Sequence, residues 1–169
     1  MNEYLDVVDD SDCVIGKATR KEVYEKKLTH RIVHVLVINP INSKIYIQKR
    51  ADSVSYLPGH YSTSAGGHVL SGESYDQAVA RELNEELGIK ALIKNIASMS
   101  FFQDGQKRFI QLFLVFAEGG FNFKDGEVKE GAFFDLDNAK KLIDSGIKIH
   151  PQLKVCFDFL YENRTKFGI

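Results

Sequence analysis

The chain has 169 residues, which fits one domain, and its 44% hydrophobic and 27% charged residues are typical of globular rather than disordered proteins. Its net charge of −1 excludes a global positive field, so we expect no nucleic acid polymer as a partner. No apolar run approaches the ~18 residues of a membrane span, so we expect no association with membranes.

The first part of the chain predicts strands around one charged helix. Residues 4–8 predict a short strand, and the charged residues 17–27 predict a helix. Residues 30–39 are mainly apolar at both odd and even positions, which is typical of a strand buried on both faces. Residues 44–48 return as a strand after a turn, so the two predict a hairpin. Residues 51–64, rich in Ser and Tyr, predict a loop.

The second part predicts a helix followed by a second strand pair. Residues 74–87 predict a helix that ends at Gly88. Strands are predicted at 91–102 and 107–117, and a polar loop at 119–130. The remaining predictions are a strand at 133–136 and helices at 138–145 and 151–167. Strands with interspersed helices favour an α/β or α+β sandwich, which we assign to one domain, residues 1–169, with residues 1–29 as an N-terminal arm.

Three glutamates on the predicted helix at 74–87 indicate a metal site. Glu82, Glu85 and Glu86 are spaced i, i+3 and i+4, so their side chains share one face. Like charges near the C-terminal end of a helix oppose its stability, and a divalent cation removes that repulsion. Oxygen ligands favour Mg²⁺ or Mn²⁺, which usually complete their shells with water and substrate phosphates. The glycine-rich segment before the helix therefore suggests phosphate chemistry.

The spacing of these residues resembles a known signature. The pattern G-x5-E-x7-R-E-U-x-E-E-x-G-U, where U is apolar, is that of the Nudix hydrolases, and it is complete over residues 67–89. A chance match has a probability on the order of one in 10⁹ per starting point. The resemblance implies an α/β Nudix fold, a mixed sheet sandwiched between helices. The positions that fill the pattern are Gly67, Glu73, Arg81, Glu82, Leu83, Glu85, Glu86, Gly88 and Ile89.

The resemblance also implies roles for these residues. Glu82, Glu85 and Glu86 would bind Mg²⁺ or Mn²⁺, together with a backbone carbonyl near Gly66 or Gly67. Glu73 and Arg81 would pair and hold the loop against the helix. The reaction would be attack of an activated water on phosphorus in a small diphosphate compound, such as a nucleoside diphosphate derivative.

The proton acceptor and the substrate contacts remain open at this point. The candidate catalytic carboxylates are Glu82 and Glu85 on the helix and Glu127 in the later loop, with Glu130 a weaker candidate. The candidate substrate-binding residues are Lys49, Arg50 and His68. His30, His34 and His68 are an open candidate for a second metal site.

Two other functions are considered: an isomerase, because of a narrower resemblance, and a protein that binds a diphosphate ligand without reacting with it. Residues 57–59, 64–68 and 72–73, together with the N-terminal arm, resemble isopentenyl-diphosphate isomerase. That enzyme has a catalytic cysteine where this chain has Gly66, which carries no proton to transfer. We therefore expect a hydrolase of the isomerase-like branch, with the isomerase itself and a non-catalytic diphosphate sensor as alternatives.

Composition also bears on location and assembly. Cys13 and Cys156 are too few and too distant to predict a disulfide framework, which favours a reduced, cytoplasmic setting. Nudix domains frequently dimerise, so a homodimer is possible, and the expected partner is a small diphosphate substrate.

Overall fold

The sheet is built around the strand that the sequence predicts to be buried on both faces. A computed structural model describes residues 3–124 and 126–169. The strands are β1 Tyr4–Val8, β2 Val14–Thr19, β3 His30–Ile38, β4 Ile45–Arg50, β5 Tyr61–Ser62, β6 Ala65–His68, β7 Ile93–Gln103, β8 Gln106–Phe116 and β9 Val128–Phe134. The helices are α1 Arg20–Glu25, α2 Tyr75–Leu87, α3 Leu136–Asp144 and α4 Pro151–Asn163, followed by a short 3-10 turn at Arg164–Phe167.

Strand β3 lies at the centre of the larger sheet. Within the described residues, the sheet runs in the order β5-β4-β3-β8-β7, with β6 also pairing with β3 and β9 with β4. Strands β3 and β8 are parallel, whereas the other pairs are antiparallel, so the sheet is mixed as expected. The predicted hairpin of β3 and β4 is confirmed, with Val37 opposite Tyr46.

Helices cover both faces of this sheet. On one face, Val33, Val35 and Val37 of β3 pack in a core with the apolar side of α2. On the other face, Ile32 and Leu36 pack with the core residues of α3 and α4. Alternate residues of one strand thus enter two cores, as the apolar run on both parities predicts. The α/β sandwich expected from the resemblance is confirmed.

The N-terminal arm forms a small separate sheet. Strands β1 and β2 pair antiparallel, and α1 follows with a capping box at Thr19 and Glu22. The arm contacts the loop before α2, where the Asp6 carboxylate accepts hydrogen bonds from Ser71 Oγ (2.7 Å) and the Gly72 amide (3.1 Å).

Some sequence predictions of elements are wrong. Residues 17–27 are not one helix, because β2 extends to Thr19 and only Arg20–Glu25 is helical. Strand β5 lies within the loop predicted at 51–64. Strand β9 begins at Val128, inside the predicted loop 119–130, of which Asp125 lies outside the described residues. In the described part of the chain, no helix has the length and apolar character to cross a membrane.

Candidate active site

Helix α2 places the predicted glutamates beside the glycine-rich strand β6. The helix starts at a capping box formed by Ser74 and Gln77, and Gly88 ends it with φ +69°. Gly88 is the signal by which the sequence predicts the end of the helix, whereas the capping box at its start is seen in the structure. Val79 and Leu83 are buried in the core between α2 and the sheet, and this packing fixes which face of the helix carries the carboxylates.

Arg81 links the glycine-rich loop to the helix carboxylates. Its Nε and Nη2 donate to the Glu73 carboxylate at 2.8 and 3.0 Å, the contact that the resemblance implies. Its Nη1 donates to Glu82 Oε1 (2.7 Å) and Glu85 Oε2 (3.1 Å). Nη2 also donates to the His68 carbonyl (2.9 Å), so one guanidinium connects loop, strand and helix.

Glu82 and Glu86 are buried, whereas Glu85 is partly exposed. The Glu82 side chain is packed against Gly67, where a Cβ would overlap its carboxylate. Burial raises the pKa of Glu82 to about 7, although Arg81 opposes this shift. Glu86 is 2% exposed, and the Gln48 amide of β4 donates to its Oε2 at 2.6 Å.

The donor set at this place fits a divalent cation. Within residues 3–124 and 126–169, no three His, Cys, Asp or Glu side chains form a group that could hold a metal ion. Arg81 donates to Glu82 and Glu85, and Gln48 donates to Glu86. The donors available are nevertheless carboxylate oxygens on consecutive turns and the backbone of β6, which suits hard cations. Gly67 leaves room beside Glu82 that any side chain would fill.

A cavity of about 210 Å³ adjoins these groups. Most of the predicted site residues line it, namely Arg50, Gly67, His68, Arg81, Glu82, Glu85 and Glu127. Lys49 and Glu130 do not line it, and they form an ion pair with each other (3.3 Å). Glu73 and Glu86 are not among the lining residues, and they are hydrogen-bonded to Arg81 and Gln48 respectively.

The three histidines of the candidate second metal site are divided between two environments. The rings of His30 and His68 lie 5.5 Å apart, and His68 Nε2 is hydrogen-bonded to the Tyr24 hydroxyl (2.8 Å). His34 is instead hydrogen-bonded to Thr63 Oγ1 (2.7 Å) and Gln152 Oε1 (2.8 Å). His34 lines the same cavity as His68, but its hydrogen-bond partners differ from those of His30 and His68.

Sequence reasoning missed several residues of the cavity wall. Tyr24 and Arg20 reach it from α1, Arg108 from β8, and His150 and Gln152 from the start of α4. No local motif marks these positions, since they meet only through the topology of the sheet. The pairing of His30 on β3 with Arg108 on β8 could have pointed to Arg108, but only if the register of the two strands had been known.

The surroundings of Gly66 bear on the isomerase alternative. A Cβ at this position would lie 2.6 Å from the Val33 carbonyl oxygen and 2.7 Å from His34 Nδ1. Backbone oxygen cannot move aside easily, so a cysteine does not fit here without a shift of β3 or β6. Gly66 is thus matched to its neighbours in this chain.

Comparison with known proteins decides the family. The model of the NUDIX domain matches residues 28–153, three quarters of the chain. The chain belongs to the Nudix family. An uncharacterized Nudix hydrolase of Nostoc sp. is 40% identical over 100 residues, which cover 59% of each chain. One from Yersinia pestis is 32% identical over 136 residues, 76% of this chain and 70% of the relative.

Solved structures of other proteins share this fold. The crystal structure of DR0079 from Deinococcus radiodurans matches with TM-score 0.83 and 26% identity, covering 94% of this chain and 99% of that one. The MutT protein of Methanosarcina mazei Go1 matches with TM-score 0.63 and 21% identity, covering 82% and 96%, which shows the fold alone.

These comparisons refine the expectations from sequence. The chain carries a NUDIX domain, and these relatives are named Nudix hydrolases. The matches to the Nostoc and Streptomyces coelicolor relatives span 59% and 56% of those proteins, less than two thirds of their length. The expected isomerase-like branch receives no support from the relatives, which carry the name Nudix hydrolase.

Proposed function

We propose that this Nudix protein hydrolyses a phosphoanhydride bond in a small diphosphate compound, with Mg²⁺ or Mn²⁺ as cofactor. The observation that carries the proposal is the position of Glu82, packed against Gly67 and facing the same cavity as Glu85 and Arg50. Carboxylates and an arginine that converge on a cavity of this kind suit a phosphate-bearing ligand.

The residues that would hold the cation are Glu82, Glu85 and Glu86, with the backbone of Gly67. A divalent cation supplies positive charge that neutralises phosphate oxygens and acidifies water. Arg81, held by Glu73, keeps Glu82 and Glu85 in a fixed arrangement. Gln48 does the same for Glu86 from β4.

The remaining wall residues orient the substrate and accept a proton. Arg50 donates through Nε to the Tyr56 carbonyl (3.1 Å) and lines the cavity, which supports a role for its guanidinium in binding a phosphate. Glu82 and Glu127 both line the cavity and are our candidates to accept the proton of the attacking water. Glu130 is a weaker candidate than Glu127, because it is paired with Lys49 outside the cavity.

The test is a substrate screen with the wild type and Glu86→Gln. Nucleoside diphosphates, nucleotide sugars, dinucleoside polyphosphates and isoprenoid diphosphates are incubated with Mg²⁺, and phosphate is detected after a coupled phosphatase. We expect hydrolysis of at least one class by the wild type and a loss of roughly 100-fold or more in Glu86→Gln, since a removed ligand takes the cation's contribution with it.

The matched control is Glu162→Gln, an exposed position on α4. It makes the same chemical change away from the cavity, and we expect wild-type activity. Equal activity in the wild type and Glu86→Gln would contradict the role given to the helix carboxylates. Incorporation of deuterium from D₂O into isopentenyl diphosphate would instead support the isomerase alternative.

A further inference from the structure

Arg108 is a buried arginine of the cavity wall, separate from the residues proposed to bind the cation. The residue is 7% exposed, and it lies on β8 opposite His30 of β3. Its Nη2 donates to Gln106 Oε1 (2.9 Å), and its guanidinium faces the Tyr24 ring at 5.6 Å. Its Nη1 is buried and has no hydrogen-bond partner within the described residues.

The charge of Arg108 is not balanced by a neighbouring carboxylate. Among the described residues, no Asp or Glu oxygen lies within 4.0 Å of its nitrogens, whereas Arg81 meets three carboxylates. Its contacts are neutral near pH 7, since they are an amide, a phenol and His30, whose pKa burial lowers to about 4. A buried cation without a counter-charge is costly, so the site is suited to bind an anion.

The N-terminal arm adds a second arginine to the same cavity, which is also lined by Glu3 of the arm. Arg20 and Tyr24 of α1 line the wall, and Arg20 pairs with Glu3 (3.1 Å) while its side chain stays 44% exposed. The arm precedes residue 28, where the family match begins. This part of the wall is therefore contributed by residues outside the matched domain.

We propose that Arg108, with Arg20 and Tyr24, forms a second anion subsite that binds a phosphate or carboxylate of the substrate remote from the bond that is cut. The planar guanidinium can donate two parallel hydrogen bonds to either group. The substrate class is accordingly a diphosphate compound with a further anionic group. This assignment of a substrate class rests on the proposed function, whereas the anion site itself does not.

The anion site is tested by titrating the protein with inorganic phosphate in the presence of EDTA, which removes divalent cations. Binding is measured by calorimetry or by changes in NMR chemical shifts. We expect Arg108→Gln to bind phosphate roughly tenfold or more weakly than the wild type, because a hydrogen-bonded charge pair is lost. Arg108→Lys keeps the charge but not the planar fork, so we expect an intermediate affinity. Arg164→Gln is the control, because Arg164 donates to the Tyr161 carbonyl and does not line the cavity.

Thermal melting separates binding from folding in this test. A drop in the melting temperature of Arg108→Gln with phosphate affinity unchanged would show that the residue only supports Tyr24 and Gln106, and it would overturn the proposal. Absence of phosphate binding by the wild type at millimolar concentrations would overturn it too. Weaker binding by Arg108→Gln, with Arg164→Gln like the wild type, supports it.

Matched substrate pairs test the substrate class and distinguish the two anions. UDP-glucuronate differs from UDP-glucose by one carboxylate, and NADPH differs from NADH by one phosphate. We expect the wild type to favour one anionic member roughly tenfold in kcat/KM, mainly through KM, and Arg108→Gln to lose that preference. Hydrolysis without any preference would overturn the substrate class. Phosphate binding with no hydrolysis of any pair would leave the anion site standing while the proposed function fails for these compounds.

Discussion

Gly67 shows how a single position couples the loop to the helix. Its Cα faces the Glu82 carboxylate so closely that a methyl group there would overlap the side chain. Glu82 is 9% exposed and is held by Arg81, so it has little room to move aside. A glycine at the start of the pattern is thus required here by close approach, not by an unusual backbone angle.

We predict that Gly67→Ala lowers kcat/KM on the substrate found in the screen by roughly 100-fold. The added methyl displaces Glu82, and a shift of about 1 Å in a catalytic group can cost that much. The measurement is steady-state kinetics together with a thermal melt. Gly16→Ala is the matched control, because a Cβ at Gly16 meets no atom within 4 Å. Wild-type kinetics in Gly67→Ala would show that the contact with Glu82 does not matter for catalysis.

At this scale the sequence reveals the helix residues but not the rest of the wall. Glu82, Glu85 and Glu86 are found because helical spacing places them on one face. Arg108 and Tyr24 are not predicted as site residues. An isolated arginine in a strand and a tyrosine in a charged segment are both ordinary features of a protein surface or core. Only the pairing of β3 with β8 and the fold of the arm bring them to one cavity.

Helix α4 and strand β3 are joined by buried histidines. His34 is hydrogen-bonded to Gln152, and His150 caps α4 by accepting from the Gln152 amide (3.2 Å). Burial lowers the pKa of His34 to about 4 and that of His150 to about 3, with Arg50 adding to both shifts. At a pH just below 6.5, the histidines of the unfolded chain therefore begin to bind protons while folded His34 and His150 stay neutral.

We predict that the stability of the protein falls as the pH falls from about 6.5 towards 4. In that window the unfolded chain binds protons that folded His34 and His150 do not, so acid favours unfolding by about 1.4 kcal/mol per pH unit for each proton. His34→Gln should reduce this slope by about one proton, as measured by urea unfolding at several pH values. Glu82, whose raised pKa acts in the opposite direction, is present in both proteins and cancels.

The control for the pH experiment is Gln152→Ala. It removes a hydrogen bond to His34 without removing a titrating group, so we expect lower stability at every pH with the wild-type slope. An unchanged slope in His34→Gln would contradict the assignment of a buried neutral imidazole to this position.

The predictability of elements follows their local signals. Helix α2 is found because it carries an apolar stripe and a terminal glycine. Strand β2 is missed because its residues are mostly exposed and lack an alternating pattern, so the charges of residues 17–27 suggest a helix instead. Strand β6 begins with Ala65, Gly66 and Gly67, small residues of low strand propensity, and its pairing with β3 stabilises it.

The whole molecule joins a Nudix domain to an arm that precedes the matched residues. The arm binds the loop before α2 through Asp6 and supplies Arg20 and Tyr24 to the cavity. Composition and the Nudix pattern at residues 67–89 suffice to predict the mixed sheet between helices. They do not predict the docking of the arm, since its contacts are made between residues about 65 positions apart.

We propose that the fold presents Glu82, Glu85 and Glu86 as ligands for a divalent cation. The most direct test is Mn²⁺ binding, measured by the electron paramagnetic resonance signal of the free ion, in the wild type, Glu86→Gln and Glu162→Gln. We predict that the wild type and Glu162→Gln bind Mn²⁺ alike and that Glu86→Gln binds roughly tenfold or more weakly. Equal binding by all three proteins, or no binding by the wild type at millimolar Mn²⁺, would contradict the claim.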